Sequence, residues 1–143
     1  MGDLVIGAKQ ACTAEELRQR TKEFALRIVG LARALPPSDV GRHLGRQVLR
    51  AGTSVAANYR AACRGRSRAE FVAKLGIAVE EADETVFWLG LLADAQVVPR
   101  RRLQPLLDEA RELLFILSAS RKTAKLSITK SPNRTITKCS ASS

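Results

Sequence analysis

Side chains that can face a core recur at spacings of three and four along four long stretches of this chain, and each stretch ends at residues that a helix interior tolerates poorly. In the first, Leu17, Thr21, Phe24, Ile28, Leu31 and Leu35 line one side of a helix, and Pro36 and Pro37 stop it. The second carries Leu44, Val48, Ala51, Val55, Asn58 or Tyr59, and Ala62, with Gly65 as its end. The third places Phe71, Leu75, Ala78, Val79, Ala82, Val86, Leu89 and Ala93 inward and runs out near Gln96 to Val98, before Pro99. The fourth starts between Arg100 and Leu103, accepts Pro105 early, and points Leu103, Leu106, Leu107, Ala110, Leu113, Leu114 and Leu117 inward. It ends between Arg121 and Leu126.

Start signals agree with these breaks. Thr13 followed by Glu15 and Glu16 reads as a helix N-terminus, with acids at the positive end of the dipole. Ser38 or Asp39 caps the second helix, and Ser67 with Glu70 three residues later is a capping box for the third. Aromatics are 4% of the residues, too few for a sheet built on aromatic pairs. Four long helices with short connections predict an all-α, antiparallel up-down-up-down four-helix bundle over residues 14–126. Residues 1–13 read as a flexible leader without sustained period. Residues 127–143, rich in Ser, Thr and Lys, read as a disordered basic tail that cannot bury enough surface to offset its ordering entropy.

Lys and Arg number 24 against 14 Asp and Glu, a formal net charge of +10 that attracts polyanions whatever the fold. Six of those cations, Arg121, Lys122, Lys125, Lys130, Arg134 and Lys138, follow Ser120 with no acid among them. On a helical wheel Arg42, Arg46, Arg50, Arg60 and Arg64 fall on one side of the second helix, opposite its apolar stripe, and Arg66 and Arg68 extend them into the turn. Guanidinium forks suit phosphate oxygens, so these seven are the candidate nucleic-acid contacts, for RNA or DNA. The alternative is a solvated or salt-bridged face, since no aromatic stacking platform interleaves the arginines.

Between Arg50 and Arg60 the same face carries the small patch Leu49, Thr53, Ala56 and Ala57. The third helix has apolar residues on more than one side, because Ile77, Phe87, Trp88, Leu91 and Leu92 lie off its inward stripe beside Glu80, Glu81, Asp83 and Glu84. A helix apolar all round has a second partner. These residues, Leu49, Thr53, Ala56, Ala57, Ile77, Phe87, Trp88 and Leu91, therefore predict a homo-oligomer interface, with arginines of the second helix facing carboxylates of the third across it. Packing of Trp88 and Leu91 by the leader or tail is the alternative.

Chemistry-bearing constellations are scarce. Cys12, Cys63 and Cys139 make an odd number with no CxxC and no histidine pair, which fits a reducing cytoplasm and no metal or disulfide framework. His43 is the one histidine, and the chain has neither P-loop spacing nor a nucleophile beside a base. An enzyme is not expected, and neither is a cofactor. No apolar run reaches the roughly 18 residues of a membrane span.

The wording of two segments resembles a known family. The run Gly45-Arg-Gln-Val-Leu-Arg-Ala-Gly-Thr-Ser-Val-Ala-Ala-Asn-Tyr-Arg-Ala-Ala and the run Ser67-Arg-Ala-Glu-Phe-Val-Ala-Lys-Leu-Gly-Ile-Ala-Val-Glu-Glu-Ala-Asp-Glu-Thr resemble small bacterial four-helix bundle proteins of the 23S rRNA intervening-sequence protein family. The likeness covers about residues 14–125 and is most specific at Gly52-Thr53-Ser54-Val55, Asn58-Tyr59 and Glu80 to Thr85. It implies a ring-like homopentamer without established enzymatic activity. It also implies a fold similar to the accessory variability protein of diversity-generating retroelements, which partners a reverse transcriptase and binds nucleic acid through basic surface. By that analogy Arg42, Arg46, Arg50, Arg60 and Arg64 are the contacts, and a reverse transcriptase or other acidic protein is the alternative partner. The chain departs from the family pattern in lacking an aromatic-rich start and in its long tail.

Overall fold

Helices account for nearly all of residues 5–6 and 11–130, which the computed structural model of the chain describes. They are α1 (Ala14–Ala34), α2 (Asp39–Cys63), α3 (Arg68–Asp94) and α4 (Arg100–Lys130). Partner residues run in opposite order along each packed pair: Ile28 meets Gly52 and Leu35 meets Gly45, His43 meets Trp88 and Arg50 meets Glu81 and Glu84, and Val72 meets Arg121 and Asp94 meets Arg100. Consecutive helices are therefore antiparallel. Each packs chiefly on the next, and α1 meets α4 over a shorter length.

The caps explain why the helices begin where they do. Thr13 Oγ1 accepts from Glu16 N–H while the Glu16 carboxylate accepts from Thr13 N–H, a complete capping box. Ser38 and Ser67 accept from Gly41 N–H and Glu70 N–H, both at 3.0 Å. The second box is only half formed, because Glu70 Oε1 accepts from the N–H of Arg66, at 2.8 Å, rather than from that of Ser67. At the end of α2 the cap is Arg64, and Gly65 is not left-handed. The end of α3 is a Schellman motif: Gln96 N–H donates to Ala93 O and Val97 N–H to Leu92 O, with Gln96 at φ 59°.

The core holds Leu17, Phe24 and Ile28 from α1, Val48, Val55 and Tyr59 from α2, Leu75 and Leu89 from α3, and Leu103, Leu107, Leu113 and Leu117 from α4. At the second helix's ambiguous position Tyr59 is buried and Asn58 half-buried, its amide donating to Ser54 O. On α3 the inward stripe is rotated from the expected one. Val72, Thr85 and Leu92 are buried, whereas Phe71, Val79 and Val86 are only partly so. Leu92 thus belongs to the core and not to an outer face, because α3 is contacted by both α2 and α4 and buries a wide arc.

Both ends differ from the sequence reading. Val5–Ile6 and Ala11–Cys12 pair as antiparallel strands β1 and β2, β1 lies against α4, and Cys12 is buried, so this part of the leader is structured. Helix α4 continues through residues 127–130, since Ala124 and Ile128 keep the inward four-residue spacing. The rest of the tail, with Cys139, lies outside the described residues.

Candidate nucleic-acid interface

The wheel places the arginines of α2 on one side of the helix, but its neighbours divide them into two groups. Arg50 turns toward α3. Its Nη1 lies 3.3 Å from Glu81 Oε1 and its Nη2 2.7 Å from Glu84 Oε2. Donation from Arg50 holds the Glu84 carboxyl below its ordinary value, and the same bond to Glu84 raises the guanidinium of Arg50. This arginine–carboxylate pairing of α2 with α3 is made within the chain.

Arg42, Arg46 and Arg60 turn instead toward α1. Near the start of α2, Arg42 and Arg46 border a groove whose walls include Leu35, Pro36, Gly45 and Leu49. Arg42 is tied to Asp39 and to Pro37 O, both at 2.9 Å. Further along the same seam is a groove of about 330 Å³ lined by Arg18, Lys22, Ala56, Ala57 and Arg60. Glu15 lines it too and pairs with Arg18. Among the described residues Lys22, Arg46, Arg60, Arg64, Arg66 and Arg68 make no ion pair, and all six are exposed.

The eight predicted interface residues also separate into two places. Leu49, Ala56 and Ala57 lie in the α1–α2 seam, where Leu49 packs on the core, and Thr53 closes its hydroxyl on Leu49 O at 2.7 Å. Ile77, Phe87, Trp88 and Leu91 are on α3. Phe87 is 58% exposed and Ile77 41%, whereas Trp88 and Leu91 pack partly on the core. Trp88 Nε1 donates to Glu84 Oε2 at 3.3 Å and its ring stands edge-on to His43 and Phe87.

Sequence reasoning missed Arg18 and Lys22, which add cations to the α2 ridge from across the seam. Their spacing of four on α1 was the available signal, since residues four apart share a helix face. Elsewhere in the chain, burial pushes the Cys12 thiol and the Tyr59 phenol up, so neither is poised as an ionised nucleophile. No group of three His, Cys, Asp or Glu among the described residues can hold a metal ion, and no described helix is long and apolar enough to cross a membrane.

The family model of the 23S rRNA-intervening sequence protein matches residues 15–119, nearly the whole bundle. The chain belongs to that family. A solved structure similar to it is a protein of unknown function from the S23 ribosomal protein family of Bacteroides thetaiotaomicron, 35% identical, with a TM-score of 0.72 over 76% of this chain and 97% of the other. No functionally curated protein matches. The family match spans α1 to most of α4 and so includes both the α1–α2 seam and the outer face of α3.

Proposed function

We propose that this family member is a non-enzymatic, self-assembling four-helix bundle that binds nucleic acid through phosphate contacts with little sequence readout. The observation that carries the reading is the α1–α2 seam, where exposed Lys22 and Arg60 flank a floor of Ala56 and Ala57 and exposed Arg46 borders the neighbouring groove, none of the three ion-paired among the described residues. Small floor residues let a sugar-phosphate chain approach the backbone while cations on both sides meet its oxygens. The family's description, which refers to intervening sequences of 23S rRNA, is consistent with an RNA partner.

Anisotropy titration of a structured RNA at several salt concentrations tests it. Binding should be micromolar or weaker and fall steeply between about 50 and 200 mM salt. Arg46→Glu combined with Arg60→Glu should weaken it at every sequence tried and lower the log–log salt slope by about 2, one for each lost phosphate contact. Absence of binding at low salt, or complete loss on removing residues 131–143 alone, would leave the seam without this role.

A further inference from the structure

Two arginines among the described residues are not exposed, and their surroundings differ in kind. Arg20 on α1 is forked onto Glu109 at 2.8 and 2.9 Å, with Glu112 at 3.0 Å, so its charge is neutralised where it sits. Among the described residues Arg121 on α4 has no carboxylate partner. Its Nε donates to Val72 O at 3.1 Å, and its guanidinium lies against Gly76, where a Cβ would stand 2.9 Å from Nε and 3.1 Å from Cζ. The glycine makes the seat and the carbonyl fixes the plane. Its two terminal nitrogens make no hydrogen bond among the described residues.

A half-buried cation without a counter-charge is unfavourable unless an anion completes it. The neighbours worsen the imbalance. Arg121 lines a groove of about 380 Å³ between α3 and α4 together with Ser118, Lys122 and Lys125, between the apolar walls Val79 and Leu126, and among the described residues no carboxylate lines it. The volume is in the range of small-ligand sites. We infer that this α3–α4 groove is a binding site for a phosphate group, held by the free nitrogens of Arg121, by Lys122 and Lys125, and by the hydroxyl of Ser118.

Charge density favours phosphate over a carboxylate, since a site with three cations and no acid matches an oxyanion able to carry more than one negative charge. The site stands across the bundle from the α1–α2 seam and does not depend on it. Because α2 ends and α3 begins beside it, the exposed Arg64, Arg66 and Arg68 share this end of the bundle. The phosphate has two possible sources, the backbone of a nucleic-acid strand or a free phosphorylated small molecule.

Nuclear magnetic resonance on the full chain distinguishes these outcomes. The Arg121 Nε–H and the amides of Gly76 and Ser118 are followed while inorganic phosphate, and separately a short single-stranded RNA, is added at low salt. Saturable shifts at these three signals are expected, and Arg121→Gln, which removes the Nε–H signal itself, should weaken the binding read from the Gly76 and Ser118 amides about tenfold or more, the loss of one charge-assisted contact. If Arg121→Gln fails to fold, the exposed pair Lys122→Gln and Lys125→Gln carries the same expectation. Saturation by phosphate at micromolar to low millimolar levels points to a small ligand, and saturation by the RNA alone points to a strand. Shifts that never saturate, or that survive loss of the cations, would overturn the site. Arg46→Glu with Arg60→Glu should leave all three signals responsive, so failure of the seam and failure of the groove are told apart.

Discussion

Gly52 lies where α2 crosses α1, and a Cβ there would stand 2.7 and 2.9 Å from the γ-carbons of Ile28 and 3.2 Å from its Cβ. Ile28 is fully buried and β-branched, so it cannot swing aside. Gly52→Ala should therefore cost about 1–3 kcal/mol despite the better helix propensity of alanine, a loss read from the urea midpoint. Gln96 presents the opposite case. It holds the left-handed position of the α3 Schellman motif at φ 59°, where glycine has no steric penalty. Gln96→Gly should raise the unfolding free energy by about 0.5–1 kcal/mol, and an unchanged or lower midpoint would show that the Gln96 side chain contributes contacts of its own. Sequence spacing placed Gln96 at the end of a helix. It could not reveal that the neighbour of Gly52 is rigid, or that Gln96 takes the conformation most often given to glycine, because both depend on atoms far away in sequence.

Helix identity was legible because it rests on local features: Thr13, Ser38 and Ser67 cap as expected, and the proline breaks fall between helices. Which neighbour a helix face meets was not legible. A wheel fixes the angle of Arg50 about its own axis, but only the placement of α3 decides that Glu81 and Glu84 take up its charge. The tail boundary failed for a related reason. Composition outweighed the continued spacing of Ala124 and Ile128, although helix propensity is a weak prior beside a core-facing stripe. The Arg50–Glu84 link has a pH signature of definite sign. Glu84 has a lower pKa folded than unfolded, so its contribution is present above the ordinary carboxyl value of 4.5 and is lost as pH falls through the folded value. Glu84→Gln should lower the thermal midpoint at pH 7, modestly because the pair is solvent-accessible, and the gap from the parent should close toward pH 3. A constant gap across that range would assign the effect to the bond from Trp88 instead.

At the scale of the whole molecule, the α3 outer face is the feature that one bundle leaves unexplained. Phe87 and Ile77 are exposed, and Leu91 is only partly covered, on a helix whose other sides are taken by α2 and α4. Because Arg50 already pairs with Glu81 and Glu84 within the chain, a second copy could lie on this face without first separating an ion pair. Burying large apolar side chains such as Phe87 contributes about 1.5–3 kcal/mol each, so a few of them repeated around a closed ring are enough to hold subunits together. Light scattering of the parent chain should then give a mass several times the 15.6 kDa of one chain, and five times if the ring is the one the family resemblance implies. Phe87→Glu puts a charge on the contact while touching nothing in the buried core, so it should reduce the mass to a single chain with helical content unchanged. A parent that is monomeric at micromolar concentration would end the assembly argument. An oligomer that ignores Phe87→Glu would move the contact to another exposed apolar group, of which Phe115 and Leu126 on α4 are the nearest in kind.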